Sequence, residues 1–289
     1  MLIFVCYKLT NQGMKIFFNI FLISLSFSAQ DTLRGIVFRK SDGQPLPYVQ
    51  VGIVSKQAGT LTDEKGKFLL IIRPSVSPQD TLVFRMMGYK TLRQITGNKN
   101  FFSVTLEEEP YQLEEIPVKP MKTYSITLGN KKYNKNITCY YMVSSDNTRS
   151  GEGGIRAKNR KNREVWLEWF HFYIIRNPKK DTVLFRLNIY SADASGDPGE
   201  LLNNQSIVFK VPPLKTGVID VDLRQYGFHV KGDFFLVLEV LSEMKKEEQI
   251  AFSGSIVGPS YFRANSFSKW MKVGVMGLDF NVDAVYYKE

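Results

Sequence analysis

Gly59-Thr60-Leu61-Thr62-Asp63-Glu64-Lys65-Gly66-Lys67-Phe68 reads as two strands joined by a tight turn. The short side chains of Thr62 and Asp63 suit bonds to the turn backbone, and Gly66 suits the left-handed residue that closes it. Phe68 then begins a row of alternate apolar residues with Leu70 and Ile72. Upstream, Val49, Val51 and Ile53 form a similar row, and downstream so do Leu82, Phe84 and Met86. Residues two apart share one face of a strand, so each row predicts one side of a β-core. Ser41-Asp42-Gly43 is another turn, and no helical period of useful length interrupts residues 32–106.

The same stretch carries a spaced series: Gly35-x-Val37, Asp42-Gly43-x-Pro45-Leu46-Pro47-Tyr48-Val49-x-Val51, Gly59-Thr60-x-Thr62-Asp63-x-x-Gly66-x-Phe68, Gly88-Tyr89 and Val104-x-Leu106. This series resembles the carboxypeptidase regulatory-like domain. The resemblance implies a transthyretin-like sandwich of about seven strands over residues 29–118, with Gly59, Thr60, Thr62, Asp63, Gly66, Phe68, Gly88 and Tyr89 as its structural motif. It also implies a module without catalytic residues, common in exported and outer-membrane proteins of Bacteroidetes-type bacteria. Leu113-Glu114-Glu115-Ile116-Pro117-Val118 is similar to the tail that leads into a membrane barrel in receptors of that kind. The residues that follow are too few for such a plugged barrel.

Residues 119–163 read as a basic linker or long loop, with one strand at Thr138 to Val143 and the glycine-rich Ser150-Gly151-Glu152-Gly153-Gly154 within it. Strand signals return over residues 164–289. Val183, Phe185, Leu187 and Ile189 share a face, Val218 to Leu223 alternates with Asp220 and Asp222, and Phe234 to Leu241 is nearly all apolar. Phe280, Val282, Ala284 and Tyr286 end the series. The expected class is all-β: a seven-stranded sandwich followed by a second, jelly-roll-like sandwich. Hydrophobic residues at 44% and aromatics at 13% support a folded chain of this type.

The first thirty residues lack Asp and Glu, and Lys15 stands before the run Ile16 to Ile23, apolar except for Asn19. Ser26-Phe27-Ser28 supplies small residues where a signal peptidase reads. We expect residues 1–28 to be a secretory signal with its true start at Met14. Export then places the protein in the periplasm, at the outer membrane or outside the cell. Removal of the signal takes Cys6, leaving Cys139 without an internal disulfide partner, and takes Lys8 and Lys15 from a formal charge of +10. Between Lys119 and Arg163, eleven basic residues face two acidic ones, a local net of +9, so the rest of the mature chain is close to neutral.

Candidates for chemistry are sparse. His171 and His229 fit no H-E-x-x-H or H-x-x-E pattern, and G-x-S-x-G and a phosphate-cradling loop are both missing. His171 reads as a hydrogen-bonded core or edge histidine. Asp193, Asp197 and Glu200 could offer oxygen ligands to calcium, although the spacing differs from an EF-hand and an ordinary Asp/Gly/Pro turn explains it equally. Trp166, Trp169, Trp270, Tyr226 and Tyr261 could form a sugar-stacking platform, with burial as the commoner use of strand aromatics. Lys158, Arg160, Lys161 and Arg163 form a candidate contact patch for an anionic envelope surface. No catalytic residue, metal or cofactor is expected, and nucleic acid is disfavoured by export and by lack of a motif. The function expected is that of a non-catalytic, exported envelope module binding a protein or glycan. The alternative is a peptidase or glycosidase with its site in the C-terminal domain.

Overall fold

The computed structural model describes residues 30–73, 75–109, 122–140, 151–245, 248–255, 258–274 and 277–288. The signal, its cleavage at Ser28, the Met14 start and the Leu113 to Val118 tail lie outside the described residues. The described chain is built of β-strands, with short 3-10 turns at Val54–Lys56 and Arg224–Tyr226.

The N-terminal module has seven strands: β1 Asp31–Arg39, β2 Gln50–Ile53, β3 Ala58–Leu61, β4 Lys67–Ile72, β5 Thr81–Arg85, β6 Leu92–Ile95 and β7 Phe101–Leu106. They form two sheets, β4-β1-β7 and β3-β2-β5-β6. β1 runs antiparallel to β4 and parallel to β7. The three apolar rows meet between the sheets: Val49, Val51, Ile53, Phe68, Leu70, Ile72, Leu82 and Phe84 are buried together, with Met86 packed at the edge. Alternation explains this core, since an antiparallel sheet with one face covered needs apolar residues at every second position only.

The remaining strands are β8 Lys122–Gly129, β9 Thr138–Tyr140, β10 Glu152–Ala157, β11 Glu164–Arg176, β12 Val183–Ala192, β13 Pro198–Leu201, β14 Ile207–Val211, β15 Gly217–Asp222, β16 His229–Lys231, β17 Phe234–Val240, β18 Ala251–Ser255, β19 Ser260–Arg263, β20 Met271–Val273, β21 Gly277–Leu278 and β22 Asn281–Lys288. One sheet runs β13-β12-β17-β10-β19-β20, with β14 also on β12. The other runs β21-β18-β11-β22-β8, with β15 and β16 on β11 and β9 on β18. A single large core lies between them, where Phe170, Phe172, Phe185, Phe252 and Phe280 make edge, stacked and tilted ring contacts.

The basic segment differs from its sequence reading as a linker. It contains β8, β9 and β10, and β10 is a central strand paired with both β17 and β19. The glycines that suggested a loop serve packing instead. A Cβ on Gly153 would stand 2.9 Å from the Phe262 ring, and one on Gly154 would stand 2.3 Å from the Leu236 carbonyl oxygen. Glycine within a strand marks such close approaches as well as loops, and local composition does not separate the two. The expected strand at Thr138 to Val143 is present as β9 up to Tyr140, and its later residues lie outside the described set.

Candidate functional site: a buried charge ladder and a basic cleft

The motif residues of the N-terminal module lie at its turns and in its core. Asp63 Oδ1 accepts from the backbone N–H groups of Lys65 at 2.9 Å and Lys67 at 2.8 Å, while Gly66 holds φ at 70°. Thr62 is fully buried, donating to the Leu46 carbonyl at 2.7 Å and accepting from the Val49 N–H at 2.9 Å. Tyr89 bridges to Glu108 directly after Gly88, which also has positive φ. Gly59 and Thr60 lie on β3, and Gly59 has a second role that the motif does not announce.

Gly59 pairs with Gly52 across β2 and β3 on the sheet face turned away from the module's core. Phe267, from the second sandwich, covers both: a Cβ on Gly52 or Gly59 would stand 2.3 or 2.5 Å from its ring. Arg85 lies over that ring, 5.3 Å from its centre, and donates to the Ser266 carbonyl. Asn265 and Ser268 donate to the Gln57 carbonyl. The two sandwiches are therefore joined face to face, with the missing side chains of two glycines forming the seat for one phenylalanine.

Beside this seat a row of charged residues crosses the second sandwich. Arg186 on β12 faces Glu239 on β17, Glu239 faces Glu152 on β10, and Glu152 faces Arg263 on β19. Both carboxylates are inaccessible to solvent. Arg263 grips both oxygens of Glu152 at 2.7 and 2.9 Å, and Tyr190 donates to the same carboxylate at 3.0 Å. Glu239 accepts from Arg186 at 3.2 Å, from Asn188 at 3.0 Å and, across the module boundary, from Gln50 at 3.4 Å. Arg186 also donates to the carbonyl of Tyr48, which holds φ at 61°. Burial pushes the Glu152 carboxyl up despite Arg263 beside it. Burial, followed by the Glu152 charge, raises Tyr190 well above the ordinary phenol range. Two desolvated carboxyl groups on adjacent strands are tolerated here because each has its own cationic partner.

The four residues of the basic patch separate. Asn159 is buried, with its N–H on Asp233 at 2.7 Å and its side-chain amide on the Arg163 carbonyl at 2.6 Å, and so pins the turn after β10. Lys158 and Arg160, on either side of that pin, line a cleft of about 490 Å³ with Lys272 of β20, Arg156, Asn130 and Tyr261. Lys161 is exposed on the turn. Arg163 leaves the group and stacks on the Tyr286 ring at 4.1 Å. Lys272 is invisible in the local charge pattern because β20 reaches the cleft only through its pairing with β19.

The other candidates are dispersed or occupied. Asp193 Oδ1 accepts from the Ser195 and Asp197 N–H groups, both at 2.9 Å, so this carboxylate closes a turn. Among the described residues, no group of three or more His, Cys, Asp or Glu side chains is gathered for a metal, and Asp193, Asp197 and Glu200 do not form one. The aromatic platform is not assembled. Trp166 contacts His229 and Tyr287, and Trp169 lies under Arg224 on one sheet. Trp270 packs against Tyr190 and Arg263 on the other sheet, where Tyr261 is buried. Tyr226 packs against the core. His171 stands between Asp220 at 2.6 Å and Asp283 at 3.2 Å on the outer face of the second sheet, a histidine hydrogen-bonded from both sides. Burial pushes the half-buried Cys139 thiol up.

This fold defines a β-sandwich module welded to a second sandwich, and residues 33–118 match the family model of the CarboxypepD_reg-like domain. No curated protein matches the chain. Among solved structures, the cysteine protease and lectin-like domains of Cwp84, a surface layer associated protein of Clostridium difficile, are similar at 11% identity and TM-score 0.35, over 52% of this chain and 36% of that one. A variant of the same clostridial cysteine protease, after propeptide cleavage, is similar at 10% identity and TM-score 0.38, over 80% and 52%. The infectious bursal disease virus VP2 subviral particle is similar at 7% identity and TM-score 0.27, over 90% and 61%. The chain thus spans about a third to a half of the Cwp84 chains it matches.

Proposed function

We propose that this chain is a non-catalytic, exported interaction protein of the cell envelope, binding an envelope protein or glycan through the surface of two fused sandwiches. One observation carries the reading: the buried charged residues Glu152, Glu239, Arg186 and Arg263 are paired with one another beside the module boundary, a structural use that joins the two sandwiches into one surface. The acid-free N-terminal segment supports export, and the basic turn after β10 supports contact with an anionic envelope surface.

Cell fractionation followed by cross-linked capture of the mature chain tests the proposal. An envelope protein or glycan recovered with the chain, together with no turnover of peptide or glycoside substrates, is the expected result. Binding to outer-membrane vesicles should weaken steeply with salt and with replacement of Lys158, Arg160, Lys161 and Arg163 by Ser. The competing hydrolase reading has Asp220, His171 and Asp283 as its best-placed groups. Hydrolysis that disappears in Asp220→Asn and Asp283→Asn would replace the binding reading.

A further inference from the structure

The cleft beside β10 has three features of a built anion site. First, its cations come from separate parts of the chain: Lys158 and Arg160 from the turn after β10, and Lys272 from β20. Second, among the described residues no ion pair joins any of these three side chains to an acid, whereas neighbouring Arg156 is held by Asp233 at 2.9 Å. Uncompensated like charges around one concavity raise its potential and favour an anion of more than one charge. Third, the turn is fixed rather than free, because buried Asn159 ties it to Asp233 and to the Arg163 carbonyl. Lys158 and Arg160 flank that anchor at alternate positions, which keeps both on the cleft side.

The rest of the lining limits what carries the anion. Buried Ile155, Leu128 and Tyr261 stand behind the cleft wall, and Thr127 and the Asn130 amide are held by Asp283 and by the Leu278 carbonyl, so the cations are the ligand-facing groups. The Lys272 ammonium lies 5.6 Å from the centre of the buried Tyr261 ring, which holds the charge at this corner of the cleft. At about 490 Å³ the cleft exceeds what a lone tetrahedral oxyanion fills and falls within the range of small-molecule sites. Arg160 can offer a planar fork to two oxygens of one group, with the lysines as point charges around it.

We propose that this cleft binds a phosphorylated saccharide, with the phosphoryl group held by Lys158, Arg160 and Lys272 and the sugar occupying the remaining volume of the cleft. This rests on the binding-module reading and deepens it by naming the ligand class. The phosphosugar can be free or the headgroup of a glycolipid, since the recognised chemistry is the same.

Calorimetric titration of the mature full chain with glucose 1-phosphate, inorganic phosphate, glucuronate and glucose tests it. Saturable binding is expected for glucose 1-phosphate, weaker binding for phosphate and glucuronate, and none for glucose. Arg160→Ala and Lys272→Ala should each weaken glucose 1-phosphate by about tenfold, the effect of one charge-assisted contact, while Lys231→Ala leaves it unchanged. These side chains are exposed, so unchanged melting of the variants verifies the fold. Vesicles of phosphatidylcholine doped with a phosphorylated glycolipid separate the sources: competition by glucose 1-phosphate places the lipid headgroup in this cleft, and vesicle binding without competition restricts the cleft to soluble ligands. No saturable glucose 1-phosphate binding, equal binding of phosphate, or insensitivity to both alanine variants overturns the proposal. In that event, envelope capture that persists keeps the interaction reading. Release of phosphate from the probe would instead sink the non-catalytic reading.

Discussion

Glu152 and Glu239 stand directly opposite each other on adjacent strands, both without solvent contact, and each is answered on its far side by an arginine. Carboxylates in that relation repel strongly in a low-dielectric interior, so the outer arginines supply the counter-charge on which the arrangement depends.

Removing Arg263 should therefore cost more than its contacts alone suggest. Arg263→Met leaves Glu152 buried without its counter-charge and should destabilise by about 3–5 kcal/mol. Glu152→Gln with Arg263→Met should recover a large part of that loss, because no net charge is then buried. Urea unfolding of the two variants checks this, and a double variant no more stable than Arg263→Met would refute the ladder account.

The seat of Phe267 predicts a coupled pair. Gly52→Ala places a methyl group 2.3 Å from the ring and 2.5 Å from the Ala58 carbonyl, and overpacking of this kind costs about 1–3 kcal/mol. Phe267→Ala should cost about 3–5 kcal/mol, as for a core aromatic. With the ring gone the added methyl meets less, so the double variant should be more stable than the sum of the singles, read as a double-mutant cycle.

Thr62→Val is nearly isosteric but removes both hydrogen bonds of a fully buried hydroxyl. It leaves the Val49 N–H and the Leu46 carbonyl without that partner, a cost of about 1–3 kcal/mol for each group. Thr62→Ser should stay near the parent in thermal melting.

Glu107 gives a pH signature. Hydrogen bonds from Lys40 and then Lys90 lower its pKa from 4.5 to about 2. A lowered folded pKa means the unfolded chain takes up the proton first. The contribution is present above about pH 4.5 and is lost as pH falls through about 2. The pair is exposed, so the stability effect is small and the titration itself is the readout. Carbon-detected NMR should show Glu107 returning toward 4.5 in Lys40→Met with Lys90→Met.

Much of the architecture is legible residue by residue. The rows of Val49, Phe68 and Leu82 form one core, and Val183 to Ile189, Val282 and Ala284 line the other, because alternation is a local property that a sheet with one covered face must satisfy. The turn at Asp63 is equally local, since its bonds reach only to Lys65 and Lys67. β10 escapes a local reading because its glycines answer to Phe262 and Leu236, residues far away in the chain. The aromatic platform fails for a related reason: Trp166 and Trp270 lie on different sheets, and residue type does not state which.

By itself, then, the sequence determined the alternating strands outside the basic segment, their buried faces and the motif series of the N-terminal module, since each depends on periodicity and turn chemistry over a few residues. Tertiary structure alone decided that Gly52 and Gly59 receive Phe267, that Glu152 and Glu239 share one buried row, and that Lys272 joins Lys158 and Arg160. These relations are set by register across strands and by the contact of two sheet faces. They join residues far apart in the chain, on strands whose partners no local pattern names.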